Sequence, residues 1–162
     1  MTSLVTRAGV ISVLILLVMI SSAQAQERFE DNGDGTITDH QLGVMWAKTD
    51  NQGDINWKAG RQWVQFTFPM TLTTPYDNWR LPTLAELKSL FPPEPEAGKS
   101  ETICGQKIRI AGPIQLTCGW VWTSEVRSIT ATVFNFQRGV HYTDRMVNHK
   151  AHRVLPVRDL KK

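Results

Sequence analysis

The sequence predicts an α+β domain, on three observations. Turn dipeptides at residues 32–35 sit between short extended segments, two helical patterns follow, and the last third is rich in alternating apolar positions. The helices precede the main run of strands rather than alternating with them, which sets this chain apart from a βαβ protein.

The first element is a hairpin. Asn32-Gly33 and Asp34-Gly35 lie between Arg28-Phe29-Glu30 and Thr36-Ile37-Thr38, and glycine, Asn and Asp all tolerate the positive φ of a tight turn. Glu30, Asn32, Asp34, Gly35 and Ile37 also fall at the offsets of an EF-hand calcium loop. The twelfth position, where a bidentate Glu should close such a site, is Gln41, and Leu42-Gly43-Val44-Met45-Trp46 reads as a strand. The hairpin is the better reading.

Ile55, Ala59, Trp63 and Phe66 recur at close to helical spacing, which predicts an amphipathic helix over Ile55–Phe66 despite Gly60. A second helix is marked at both ends. Thr83 and Glu86 form a capping box, Leu84, Leu87, Leu90 and Phe91 supply one apolar face, and Pro92-Pro93 stops it. Residues Pro92 to Gly119 carry Pro, Gly, the acidic Glu94-Pro95-Glu96 and both cysteines, Cys104 and Cys118, with little periodicity. They read as a long loop pinned by a disulfide.

Strands follow: Trp120–Ser124, Thr130–Phe136, a turn at Gln137-Arg138-Gly139, and a final Arg153–Arg158. Pro156 has no N–H to donate, so the last strand should lie at a sheet edge or carry a bulge.

Export is read from the N-terminus. A single charge at Arg7, an apolar run from Val10 to Ile20, and Ser21-Ser22-Ala23-Gln24-Ala25 are the three parts of a signal peptide cut before Gln26. A retained span needs about 20 apolar residues, more than this run offers. Residues 1–25 are therefore assigned to the signal and 26–162 to one domain, long enough to bury roughly two-thirds of its unfolded surface. An oxidising compartment favours a Cys104–Cys118 bridge. No Cys-x-x-Cys or other thiol motif surrounds either residue, which disfavours a catalytic thiol.

The formal charge is +3, and removal of Arg7 leaves +2. From Gln137 onward seven bases face two acids, a local +5, so the rest of the exported chain sums to −3. A basic end on a mildly acidic domain suggests a surface facing a polyanion, with Arg138, Arg145, Lys150 and Arg153 as the bases held beside strands. A solvated strand with a basic tail, frayed at Lys161 and Lys162, accounts for the same clustering, and both readings stay open.

The blocks Arg28-Phe29-x-Asp31-Asn32-Gly33-Asp34-Gly35-Thr36-x-Thr38-Asp39, Gly43-Val44-Met45-Trp46, Asn78-Trp79-Arg80-Leu81-Pro82-Thr83 with Glu86-Leu87, Trp122-Thr123-Ser124 and Arg153-Val154-Leu155-Pro156-Val157-Arg158 together resemble a bacterial family labelled DUF1566, described also as the C-terminal domain of the Legionella collagen-like adhesin. The resemblance spans nearly the whole exported chain. It implies a C-type-lectin-like fold: a twisted antiparallel sheet whose terminal strands pair, two helices and a long loop region. It also implies export and, by analogy with the adhesin, binding of sulfated glycosaminoglycans. Collagen-like repeats are absent, and the cysteine-bounded loop lies outside the matching blocks.

Other chemistries are weaker. Glu94-Pro95-Glu96 and Asp77-Asn78-Trp79 echo sugar-binding motifs of calcium lectins without the required order. His149 and His152 would point to opposite faces of an extended segment, so surface histidines are expected rather than a zinc site. Trp79 should fill the core, Arg80 should pair at the sheet, and an aromatic for sugar stacking is sooner Trp120 or Tyr142. No nucleophile, base and orienting group stand together in the motifs. The expectation is a non-enzymatic binding module without cofactor, metal or nucleic-acid partner, engaging anionic polysaccharide or a cell-surface partner. An enzyme of unknown type on this fold and a structural subunit of an envelope assembly are the alternatives.

Overall fold

The computed structural model describes residues 27–95 and 97–160. The signal peptide assigned to 1–25, its cut before Gln26, Glu96, and the basic pair Lys161 and Lys162 lie outside the described residues.

Strands β1 (Phe29–Asp31) and β2 (Thr36–Asp39) form the expected hairpin, with Asp31 opposite Ile37. Its turn needs left-handed backbone at Gly33 (φ 74°) and Gly35 (φ 91°), which glycine adopts without a Cβ clash. The carboxylates at the calcium-loop offsets have protein partners: Glu30 meets the His40 imidazole at 2.9 Å, and Asp34 accepts from Thr36 N–H and the Tyr76 hydroxyl. Beside them, Asp31 accepts from Gly33 N–H and Lys48. Strand β3 (Val44–Ala47) pairs with β2, and both are wholly buried.

Helix α1 (Trp57–Gln62) is capped by the Asn56 side chain, which accepts from Ala59 N–H at 3.0 Å. It continues as a π-helical turn over Trp63–Thr67 and a 3₁₀ turn over Phe68–Thr71. The buried face is Trp57, Gly60, Val64 and Phe68. This corrects the face predicted from Ile55, Ala59, Trp63 and Phe66, since Ala59 is exposed and Phe66 is 72% exposed. Two causes act together. Gly60 lies so close to Val154 that an added Cβ would be 2.6 Å from Cγ1, and the wider π turn shifts the later side chains around the axis.

Helix α2 (Leu84–Ser89) has both halves of its capping box: Glu86 N–H donates to Thr83 Oγ1 at 3.2 Å, and Thr83 N–H donates to Glu86 Oε2 at 2.7 Å. Leu87 and Leu90 are fully buried on its inner face.

The segment read as an irregular loop contributes structure and core. Strands β4 (Lys99–Glu101) and β5 (Lys107–Arg109) pair, and Ile108, Ile110, Ile114 and Leu116 are buried. These apolar residues are spaced too unevenly for a periodic pattern. The Cys104–Cys118 disulfide is present.

Strands β6 (Trp120–Arg127), β7 (Thr130–Asn135), β8 (Val140–Arg145) and β9 (His152–Arg153) form a second four-stranded sheet in the order β8-β7-β6-β9. The final segment then crosses to the first sheet as β10 (Val157–Asp159), beside β3 in the order β1-β2-β3-β10. Both of its strands are edge strands, as Pro156 demanded.

The single antiparallel sheet with paired terminal strands is thereby corrected. The described residues form two four-stranded sheets and a ribbon, β9 runs parallel to β6, and β10 pairs with β3 while β1 holds the far edge. The break at Pro156, whose carbonyl accepts from Ala47 N–H at 2.9 Å, lets one segment serve both sheets. Among the described residues no helix is long and apolar enough to cross a membrane.

Candidate functional site

The predicted bases part company in three dimensions. Arg138 is exposed on the β7–β8 turn, Arg145 is exposed at the end of β8, and Lys150 is exposed in the connection to β9. Arg153 is 6% exposed. Its Nη1 donates to Asp54 Oδ1 at 2.7 Å, its Nε donates to Thr117 Oγ1 at 2.7 Å, and Asp50 lies 4.0 Å away. Arg153 is thus a structural cation, removed from the solvent-facing set. Arg158, another base of this stretch, is also buried and donates to the Asp77 carbonyl.

Of the remaining three, only Arg145 lies on β8, where alternation sets its direction. Tyr142 and Asp144 face inward, half-buried, while His141, Thr143 and Arg145 face out. Two clefts meet at Trp120. One, of about 390 Å³, is walled by Trp120, Gln137, Arg138, Tyr142 and Asp144. The other, of about 530 Å³, is walled by Trp120, Asp144, His149, Lys150 and His152. Arg138 lines the first cleft and Lys150 the second, Trp120 and Asp144 belong to both, and Arg145 lines neither. Neither Arg138 nor Lys150 forms an ion pair among the described residues.

The aromatics named for sugar stacking are half-buried. Trp120 meets Tyr142 edge to face at 5.8 Å and His152 at 5.5 Å, and His152 stacks on Trp122 at 4.5 Å. His152 is 2% exposed, which corrects its reading as a surface residue. The stretch is a turn rather than extended, with His152 N–H donating to the His149 carbonyl at 3.0 Å and Ala151 at φ 62°, and it sends the His152 ring inward onto the two tryptophans while His149 stays exposed.

Burial without partners marks this spot. Trp120 Nε1, the Tyr142 hydroxyl and His152 Nε2 are the buried side-chain polar atoms without a hydrogen-bond partner among the described residues. All three belong to one cluster, whereas buried polar groups elsewhere are generally paired. Burial, helped by the Asp144 charge, pushes the Tyr142 phenol up to about 12. Burial pushes His152 below its ordinary value, against the upward pull of the Lys150 carbonyl and of Asp144 and Asp54. Each of Trp120, Tyr142 and His152 has a reading in the sequence, but nothing in the pattern joins them into this cluster. Its members come from β6, β8 and β9, and only the strand pairing brings them together.

Among the described residues no group of three or more His, Cys, Asp or Glu could hold a metal ion. Both cysteines are joined in the disulfide.

A small disulfide-bonded α+β domain, with a solvent-open groove walled by aromatics and bracketed by bases, is defined by these features as one of the compact β-rich modules. The pattern of the Lcl C-terminal domain matches residues 35–158, and the chain belongs to that family. No curated protein matches the chain.

Proposed function

We propose that this domain is an exported, non-enzymatic binding module, adhesin-like in role, that engages an anionic polysaccharide along the groove over Trp120. The observation that carries the reading is the placement of Arg138 and Lys150, exposed and without ion-pair partners among the described residues, on two clefts that meet at Trp120, with Tyr142 on the wall of the first. Fixed cations meet sulfate or carboxylate groups, and aromatic walls accept the apolar faces of sugar rings. The family's adhesin name supports the same direction, and the disulfide supports an oxidising compartment outside the cytoplasm. Two helices against antiparallel strands, with a disulfide-pinned segment, also support a C-type-lectin-like ancestry for the fold.

The test is retention on immobilised heparin. Arg138→Glu and Lys150→Glu together are expected to abolish retention at about 0.1 M salt with the melting temperature unchanged, because both side chains are in solvent and the screening length there is about 10 Å. Arg145→Glu should weaken retention less. EDTA should have no effect. Retention that survives the double reversal, or that disappears only with EDTA, rejects this site.

A further inference from the structure

We propose that His152 and Asp144 make the groove acid-responsive: acidification puts a proton between two facing acceptors, adds a positive charge to the groove wall, and strengthens capture of the anionic ligand. The inference deepens the polysaccharide reading and rests on it for the ligand, but the proton site stands on geometry alone.

His152 Nδ1 lies 2.8 Å from the carbonyl oxygen of Lys150. A carbonyl can only accept, so Nδ1 carries the hydrogen. In the neutral ring Nε2 is then a bare lone pair, and Asp144 Oδ2 sits 3.2 Å from it. The other oxygen of Asp144 is already occupied: Oδ1 accepts from Arg145 N–H at 2.7 Å and from Asn148 Nδ2 at 2.6 Å. Nε2 lies within ion-pair distance of Asp144 Oδ2 but is not aligned for a direct hydrogen bond with it. A proton on Nε2 changes the contact from repulsion between a lone pair and a carboxylate to attraction between opposite charges.

The surroundings explain why the proton is absent at neutral pH. Burial against Trp122 and Trp120 disfavours the charged ring, and Arg153 on the same strand adds to that. Asp144 on β8 and Asp54 before α1 oppose it. His149 and Lys150 stand on the cleft wall beside the ring, and Tyr142 shares the next cleft with Asp144. The balance favours the neutral ring more than in an ordinary histidine. A polyanion lying over the groove would then favour protonation, and by linkage protonation would favour the polyanion by the same factor.

Two measurements test it. Without ligand, ¹⁵N NMR of the imidazoles should find His152 as the Nδ1–H tautomer above about pH 7.5, titrating below the ordinary histidine value of about 6.5. Asp144→Asn keeps an oxygen for Arg145 and Asn148 and presents an amide N–H to Nε2, so it should push the midpoint lower still. With ligand, heparin binding is compared at about pH 7.5 and about pH 5.5 in a His141→Asn/His149→Asn background, which removes the exposed imidazoles of this region. Affinity should rise about fivefold on acidification with proton uptake, a coupling at the lower end of the usual range. His152→Gln and, independently, Asp144→Asn should flatten that rise. A His152 midpoint indifferent to Asp144→Asn, or a pH slope that persists in both variants, overturns the proposal. Heparin that binds at neither pH overturns the polysaccharide reading, while the ligand-free titration still decides whether the proton site exists.

Discussion

Asp39 and Asp50 show how the same residue type, buried in two places, takes opposite signs. Asp39 is fully buried, but Arg28, the N–H groups of Gln41 and Leu42, and the Trp46 indole all donate to it. Burial alone would raise its carboxyl; these donors outweigh it and hold the group below the ordinary value. Asp50 is 2% exposed and accepts from Gln52 N–H and from Thr117 N–H and hydroxyl. There burial prevails and the carboxyl is raised, with Arg153 too distant at 4.0 Å to reverse it. Linkage fixes the consequences. Asp39 contributes stability that is present above the unfolded value of about 3.8 and is lost as pH falls through its depressed folded value. Asp50 contributes most at low pH, and that contribution is lost as pH rises through its elevated one. Urea unfolding across the acid range should therefore find Asp39→Asn with a flatter acid loss than wild type and Asp50→Asn with a steeper one. Equal slopes in the two variants would contradict these environments. At this scale the sequence was readable where partners are near in the chain. Arg80 was expected to pair at the sheet, and it binds Glu86 six residues on, as well as Asp159. Arg153 was not readable as structural, because Asp54 and Asp50 lie about a hundred positions away and a charge count is blind to distance in the fold.

Between the two helices the contrast is one of local against tertiary control. Helix α2 was legible because its start and stop are written in adjacent residues, Thr83, Glu86 and Pro92-Pro93. Helix α1 was legible as a helix but not in its orientation, since the contact that turns it belongs to Val154, far along the chain. That contact reverses an ordinary expectation. Glycine to alanine inside a helix usually stabilises by about 0.5–1 kcal/mol. Here the new methyl would meet Val154 Cγ1 at 2.6 Å, and Val154 is fully buried and stiff at its branched Cβ. Gly60→Ala should destabilise by about 1–3 kcal/mol, read as a lower urea midpoint with unchanged slope, and Val154→Ala should recover part of that loss in the double variant. Stabilisation by Gly60→Ala alone would show that the helix does not press on Val154.

For the molecule as a whole, the cross-link holds more than its own loop. Cys118 follows Thr117, which donates to Asp50 and accepts from Arg153. Closing a loop of about 15 residues is worth about 3 kcal/mol from chain entropy, so reduction should lower the melting temperature by several degrees. Loosening of Thr117 should add a rise in hydrogen exchange at residues 50–54. An identical melt in reducing and oxidising buffer would exclude this role. The α+β class and the hairpin were evident from turn chemistry and alternation. The division into two sheets was hidden because it depends on where one short segment docks, which no local pattern records.

That segment, residues 152–159, also dictates an order of events. Its strands β9 and β10 pair with β6 and β3, and Val157 exchanges backbone hydrogen bonds with Arg80. Strands β1, β2 and β3 are close in sequence and can pair early, yet the edge of β3 stays unpaired and Arg80 unbridged until residues 152–159 arrive. The domain therefore cannot lock into its final form until that distant segment has docked, and the slow, long-range closure of both sheets falls at the end of folding.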